Sequence, residues 1–122
     1  MRTTEASDFF SITSVSGADG NYEVRVRLNP EHAVYAGHFP DNPIAPGVLL
    51  TDMVRRVAGQ VSGREMRIVA ARQIKFLNVV NPNTVGELIL NIKLTEGEHG
   101  HILTCSAHHH ETTYFKLIGE LA

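Results

Sequence analysis

One stretch, Gly47 to Gly63, reads GVLLTDMVRRVAGQVSG and is the only convincing helix in the chain. Val48, Leu49, Met53, Val54, Val57, Ala58 and Val61 cover most of its circumference, which predicts a deeply buried helix. Gly63 supplies a stop just past its end. A lone apolar helix has no second helix to bury against, so the rest of the chain must wrap it. The rest reads as sheet. In YEVRVRLN, Tyr22, Val24, Val26 and Leu28 alternate with Glu23, Arg25 and Arg27, the period-two pattern of a half-buried antiparallel strand. FFSITSVS is a strand or a lead-in to one, and MRIVAARQIKFLNVV is rich in β-branched residues and closed by NPN. ELILNIKLT and HILTCSAHH flank EGEHG, a hairpin signal, and YFKLIGEL alternates again after the HETT turn. The expected fold is α+β: one central helix followed by a long antiparallel meander, in a single domain over residues 1–122. Such a sheet leaves edges unpaired, which small sheets commonly resolve by pairing across a dimer.

Composition narrows the function. The chain is 43% hydrophobic and 20% charged, ordinary for a soluble globular protein. The start, MRTTEASDFF, lacks the apolar segment of a secretory signal, and no apolar run reaches membrane-spanning length. The lone cysteine, Cys105, excludes an internal disulfide and fits a reducing compartment; its alternation with Leu103 and Ala107 reads as a small buried hydrophobe. A cytoplasmic protein is expected. A net charge of −2 provides no broad basic footprint for nucleic acid. Locally, however, Arg55, Arg56, Arg64, Arg67, Arg72 and Lys75 face a single acid, Glu65. That run is either a solvated helix end and strand face or a landing site for an acidic partner.

The helix is entered through GHFPDNPIAP, which holds three of the chain's five prolines, Pro40, Pro43 and Pro46. Proline fixes φ and biases the preceding residue to extended backbone, so this spacing predicts a stiff, polyproline-like path. Gly47 is an unusual first helical residue, since serine, threonine, aspartate or asparagine would cap better. A glycine there serves either a tight turn or the close approach of a ligand to first-turn N–H groups that have no internal partners. Asp52 lies inside the apolar helix. Buried, it would be a usable general acid; on a polar seam it would pair with Arg55 or Arg56. His38 is an imidazole on the stiffened loop, and an imidazole of ordinary pKa about 6.5 is the natural base at neutral pH. A base, an acid and a bare helix N-terminus suit proton abstraction beside a carbonyl.

GHFPDNPIAPGVLLTD resembles the signature of the 3-hydroxyacyl-[acyl-carrier-protein] dehydratases, hotdog-fold enzymes of fatty acid synthesis. The match runs through Gly37, His38, Phe39, Pro40, Pro43, Pro46, Gly47, Val48 and Leu49, with Asp52 at the acid position. QIKFLNVVNPNTVGELIL looks like the family's strand–turn–strand segment. The resemblance implies a hotdog dimer with the helix enclosed by the sheet, and an active site at the interface that takes His38 from one subunit and Asp52 from the other. It further implies that His38 removes the C2 proton of a 3-hydroxyacyl thioester and that the Gly47 N–H holds the enolate-like oxygen. Asp52, or water it holds, protonates the departing hydroxyl. Phe39 and Val48 fall among the implied substrate contacts. No metal or organic cofactor is implied, because the thioester itself acidifies C2. An acyl carrier protein is the implied partner. Being acidic, it would meet candidate contacts at Arg55, Arg56, Arg64, Arg67 and Lys75. Assembly beyond a homodimer, or with a paralogue, is compatible with the pattern.

Two features depart from the family. Arg56 stands four residues after the acid, where glutamine or another neutral group is usual, and at that spacing an arginine can pair with Asp52. The connection between helix and next strand, within VSGREMRIVAAR, is only about a dozen residues. The fatty acid enzymes carry a longer insertion there, so a different chain length or a specialised lipid or polyene pathway is expected. An aspartate acid occurs in family members that also isomerise the double bond. The rival readings are a hotdog acyl thioesterase, which leaves His38 and the prolines without a role, and a non-catalytic acyl-binding partner subunit, which Arg56 favours. His108, His109 and His110, with His99 or His101 nearby, read as a solvated hairpin end rather than a metal site, since no cysteine or carboxylate stands at convincing spacing.

Overall fold

A computed structural model describes residues 8–36, 43–98 and 100–122. Within them lie β1 (Phe10–Ala18), β2 (Asn21–Leu28), α1 (Gly47–Ser62), β3 (Ile68–Phe76), β4 (Glu87–Gly97), β5 (Gly100–His109) and β6 (Thr112–Leu121), with a 3-10 turn at Ala33–Tyr35. The strands form one sheet in the order β1-β2-β4-β5-β6-β3. Every neighbouring pair is antiparallel. No helix among the described residues is long and apolar enough to cross a membrane.

The alternation read from the sequence decides which side of the sheet is wet. Val24, Val26 and Leu28 of β2 and Leu88, Leu90 and Ile92 of β4 are buried. So are Leu103, Cys105 and Ala107 of β5, and Phe115, Leu117 and Leu121 of β6. They share one core with Leu50, Met53, Val54, Val57 and Ala58 of α1. Each large apolar side chain withdrawn in this way contributes roughly 1.5–3 kcal/mol. Cys105 behaves as expected: it is fully enclosed, and burial pushes its thiol up to about 12. Pro46 precedes the helix in an extended conformation (φ −66°, ψ 141°), and Gly63 ends it in the left-handed region (φ 76°).

Three expectations need correction. The meander holds for β4, β5 and β6 but not for β3, which crosses to the far edge and pairs with β6, Ile74 opposite Leu117 and Phe76 opposite Phe115. The reason lies in the connection. Residues 63–67 are all that separate α1 from β3, fewer than the dozen expected, and Arg67 is bonded to Ala122 in both directions (2.9 and 3.0 Å). That pins the start of β3 to the end of β6. Nor is α1 buried most of the way round. Its core face is fully enclosed, but Val48 is 75% exposed and the face bearing Thr51, Asp52 and Arg55 is only half-buried.

Candidate active site

The half-enclosed face of α1 forms one wall of a cleft of about 470 Å³. Gly47, Val48, Thr51, Asp52 and Arg55 line the helix side, while Ile68, Ile74 and Phe76 of β3 line the other. The helical residues fall at i, i+4 and i+8 from Gly47 and at i and i+4 from Val48, so they make a single stripe. Ile68, Ile74 and Phe76 face the same way because each stands opposite an inward residue of β6: Leu121, Leu117 and Phe115. The volume is that of a small-molecule site. Apart from Thr51, Asp52 and Arg55, no side chain lining the cleft is polar.

Asp52 does not sit in an apolar pocket of this chain. Its side chain is 47% exposed, and Oδ1 accepts the Arg55 Nε–H at 2.9 Å. Of the two partners the sequence offered, Arg55 holds it and Arg56 does not. The Arg56 guanidinium lies over the Phe10 ring, 4.7 Å from its centroid, and is not among the residues that line the cleft. A stacked cation of this kind is worth about 0.5–1 kcal/mol at an exposed site. Arg55 also donates through an Nη1–H to the Met66 carbonyl at 3.1 Å. With partners 28% and 47% exposed, the Asp52–Arg55 pair contributes at most about 1 kcal/mol to stability.

Gly47 opens α1 with no side-chain cap before it. Leu49 and Leu50 donate their N–H groups to Pro46, but among the described residues the N–H groups of Gly47 and Val48 have no acceptor. The glycine has a further cause that sequence reading missed. A Cβ there would come within 2.7 Å of Phe76 Cζ and 2.9 Å of Cε2, so the aromatic ring lies against the bare backbone. Phe76 also lines a second apolar cleft of about 350 Å³ on the other side of Gly47, with Ile44, Leu50, Leu77 and Val79.

His38 and Phe39 lie outside the described residues, as does His99. The basic cluster, continuous in sequence, is divided in space. Arg55 lines the cleft, Arg56 stacks on Phe10, and Arg72 pairs with Glu120 at 3.3 Å. Arg64 and Arg67 stand exposed on the connection, and Lys75 is exposed on β3. His108 to His110 lie at the β5–β6 turn, the rings of His109 and His110 edge to face at 4.2 Å. Among the described residues no three His, Cys, Asp or Glu side chains gather as a metal site would require. Ile68 and Ile74 were missed as cleft residues, and the run MRIVAARQIKF could have flagged them only had the pairing partner of β3 been known.

Residues 14–115 match the model of the ApeI-like family, described as ApeI dehydratase. The 3-hydroxyacyl-[acyl-carrier-protein] dehydratase FabZ of Brucella ovis is 30% identical over 95 residues, 70% of this chain and 59% of that protein. The enzyme of the same name from Levilactobacillus brevis is 34% identical over 74 residues, 55% of this chain and 49% of that protein. The chain therefore spans about half to three fifths of the length of these curated relatives. Among solved structures, the dehydratase heterocomplex ApeI:P from Xenorhabdus doucetiae superposes with a TM-score of 0.77 at 24% identity, covering 92% of this chain and 96% of that one. An uncharacterized protein from Erwinia carotovora subsp. atroseptica superposes with a TM-score of 0.65 at 24% identity, covering 92% of each. The fold is the hotdog fold.

Proposed function

The chain belongs to the ApeI-like dehydratase family, and on that premise we propose that it removes water from a 3-hydroxyacyl thioester borne on an acyl carrier protein. The product is the trans-2-enoyl thioester, in a fatty acid, polyene or related lipid pathway. One observation carries this reading. The Asp52 carboxylate, with Thr51 and Arg55 beside it, shares a mostly apolar cleft with the uncapped N-terminus of α1 at Gly47. An acyl chain needs the apolar wall of Val48, Ile68, Ile74 and Phe76; the chemistry needs the two polar features beside it.

The steps balance as an elimination. His38 takes the proton from C2, and the electron pair left behind becomes the C2=C3 bond as the C3–O bond breaks. Negative charge building on the thioester oxygen is met by the Gly47 N–H, which has no acceptor among the described residues and so is free of a bond to break. The C3 hydroxyl takes a proton from the protonated form of Asp52, or from water it holds, and leaves as water. Phe39 joins Val48 as a substrate contact. Neither metal nor organic cofactor enters these steps.

A second copy of the chain completes the site in this reading. Among the described residues β3 pairs only with β6, and every residue of it beyond Ile68 is exposed. Val69, Ile74, Phe76, Leu77 and Val79 make that edge apolar, and it adjoins Val48. Exposed apolar surface of this kind marks an interface. A Val79→Lys variant is expected to shift a dimer toward monomer in sedimentation velocity, and an unshifted dimer would move the interface elsewhere. A paralogue in place of the second copy is the alternative, since the similar ApeI was solved in a heterocomplex. A cytoplasmic site of action fits a carrier-borne substrate and a lone cysteine.

The acidic carrier would meet the exposed Arg64, Arg67 and Lys75, with Arg55 and Arg56 nearer the helix. Charge reversal at Arg64 or Arg67 is expected to lower kcat/KM about tenfold on a carrier-borne thioester and to spare a small soluble thioester. Equal losses on both would count against a carrier surface.

The function itself is tested by incubating the protein with a carrier-bound trans-2-enoyl chain and following the mass of the carrier. Reversible addition of one water supports the dehydratase. Release of free acid would make the protein a thioesterase, and binding without turnover would make it a partner subunit.

A further inference from the structure

The geometry points to Arg55 as a positioning residue that fixes the Asp52 carboxyl for the leaving hydroxyl. The inference rests on the dehydratase reading above but is carried by a different set of contacts. Arg55 spans two acceptors: Asp52 Oδ1 through Nε at 2.9 Å and the Met66 carbonyl through Nη1 at 3.1 Å. The second acceptor is rigid. The Met66 side chain is 1% exposed in the core, and the next residue, Arg67, exchanges backbone hydrogen bonds with Ala122. The guanidinium is therefore a bar between the fixed α1–β3 connection and a carboxyl that would otherwise be a short, half-exposed side chain free to change rotamer.

The bar engages Oδ1 and leaves Oδ2 without a partner among the described residues. Asp52 thus presents one oxygen to the cleft in one orientation, which is what a group that must deliver a proton to a particular oxygen requires. Errors of about 1 Å in such placement cost on the order of 10²-fold in rate. Stability is a poor explanation for the pair, given its exposure. A planar guanidinium, with donors on separate nitrogens in fixed geometry, suits this position better than lysine, whose ammonium donates every bond from one freely rotating nitrogen. The connection between α1 and β3 thus sets the orientation of the acid.

The test compares wild type, Arg55→Met and Arg55→Lys as full chains. NMR side-chain couplings of Asp52 report its χ1 rotamer, steady-state hydration of a carrier-bound trans-2-enoyl chain reports kcat and KM, and thermal melting reports the fold. A single Asp52 rotamer is expected in wild type and an averaged one in Arg55→Met, with kcat about tenfold lower, KM within about twofold and Tm unchanged. Arg55→Lys should stay close to Arg55→Met. An Asp52 rotamer that is unchanged in Arg55→Met overturns the inference. So does a kcat loss that follows a fall in Tm, and so does a rise in KM alone, which would make Arg55 a substrate or carrier contact. Should wild type fail to hydrate the chain, the dehydratase reading falls, while the couplings still decide whether Arg55 holds Asp52.

Discussion

Replacing His38 with alanine is expected to slow hydration of a carrier-bound trans-2-enoyl chain by about 10³-fold, within the range that positioned acid–base groups supply. The reaction offers no substitute base in the cleft, where Thr51, Asp52 and Arg55 are the polar side chains. Of these, arginine cannot accept a proton and threonine is far too weak a base. The proposed mechanism needs Asp52 at the other end of the reacting bond. Melting of His38→Ala should match wild type, because the residue is asked only to move a proton. Mass spectrometry of the carrier over a time course makes the comparison, and a His38→Ala rate within threefold of wild type would remove this histidine from the mechanism.

Asp52→Asn is expected to lower kcat about 10²-fold with KM nearly unchanged. The substitution is informative because of Arg55. An asparagine carbonyl can still accept the Arg55 Nε–H that Oδ1 accepts at 2.9 Å, so the side chain stays in place and loses only its proton-donating capacity. Arg55→Met does the reverse, keeping the carboxyl and releasing its position. A dehydratase in which both variants fail by different routes has Asp52 as its acid and Arg55 as its holder. If Asp52→Asn retained most of its activity, the leaving hydroxyl would have to draw its proton from His38 itself or from bulk water.

Much of this fold is local information. The alternation of Val24, Val26 and Leu28 specifies which face of β2 is dry, and the helix begins at Gly47 and stops at Gly63 where glycine and apolar spacing place its ends. The route of β3 is not local. Its apolar, β-branched run reads as a strand at any position in a sheet, and an apolar edge strand that awaits a partner looks the same in sequence as an apolar central one. The partner of Asp52 was likewise undecidable. Arg55 at i+3 and Arg56 at i+4 are both within reach along a helix, and what separates them is the Phe10 ring, forty-odd residues earlier in the chain, which engages Arg56. The glycine at 47 read as either a tight turn or the approach of a ligand, whereas the group that lies against it, Phe76, arrives from a strand whose placement depends on β6. The motif pointed to the family, while long-range pairing decided which side chains line the cleft.

The crossover of β3 has a consequence in time as well as in space. β4, β5 and β6 follow one another through tight turns, but among the described residues β3 has no strand to pair with until β6 has been made, just as β2, beside β1, waits across α1 and β3 for β4. During synthesis the helix and β3 must wait, with Ile68, Ile74 and Phe76 unpaired, while β4, β5 and β6 emerge. Sequence-distant pairings of this sort are slow to form and leave apolar surface open meanwhile. The wall of the cleft that would hold the acyl chain therefore closes only once β6, the last of the described strands, has been made.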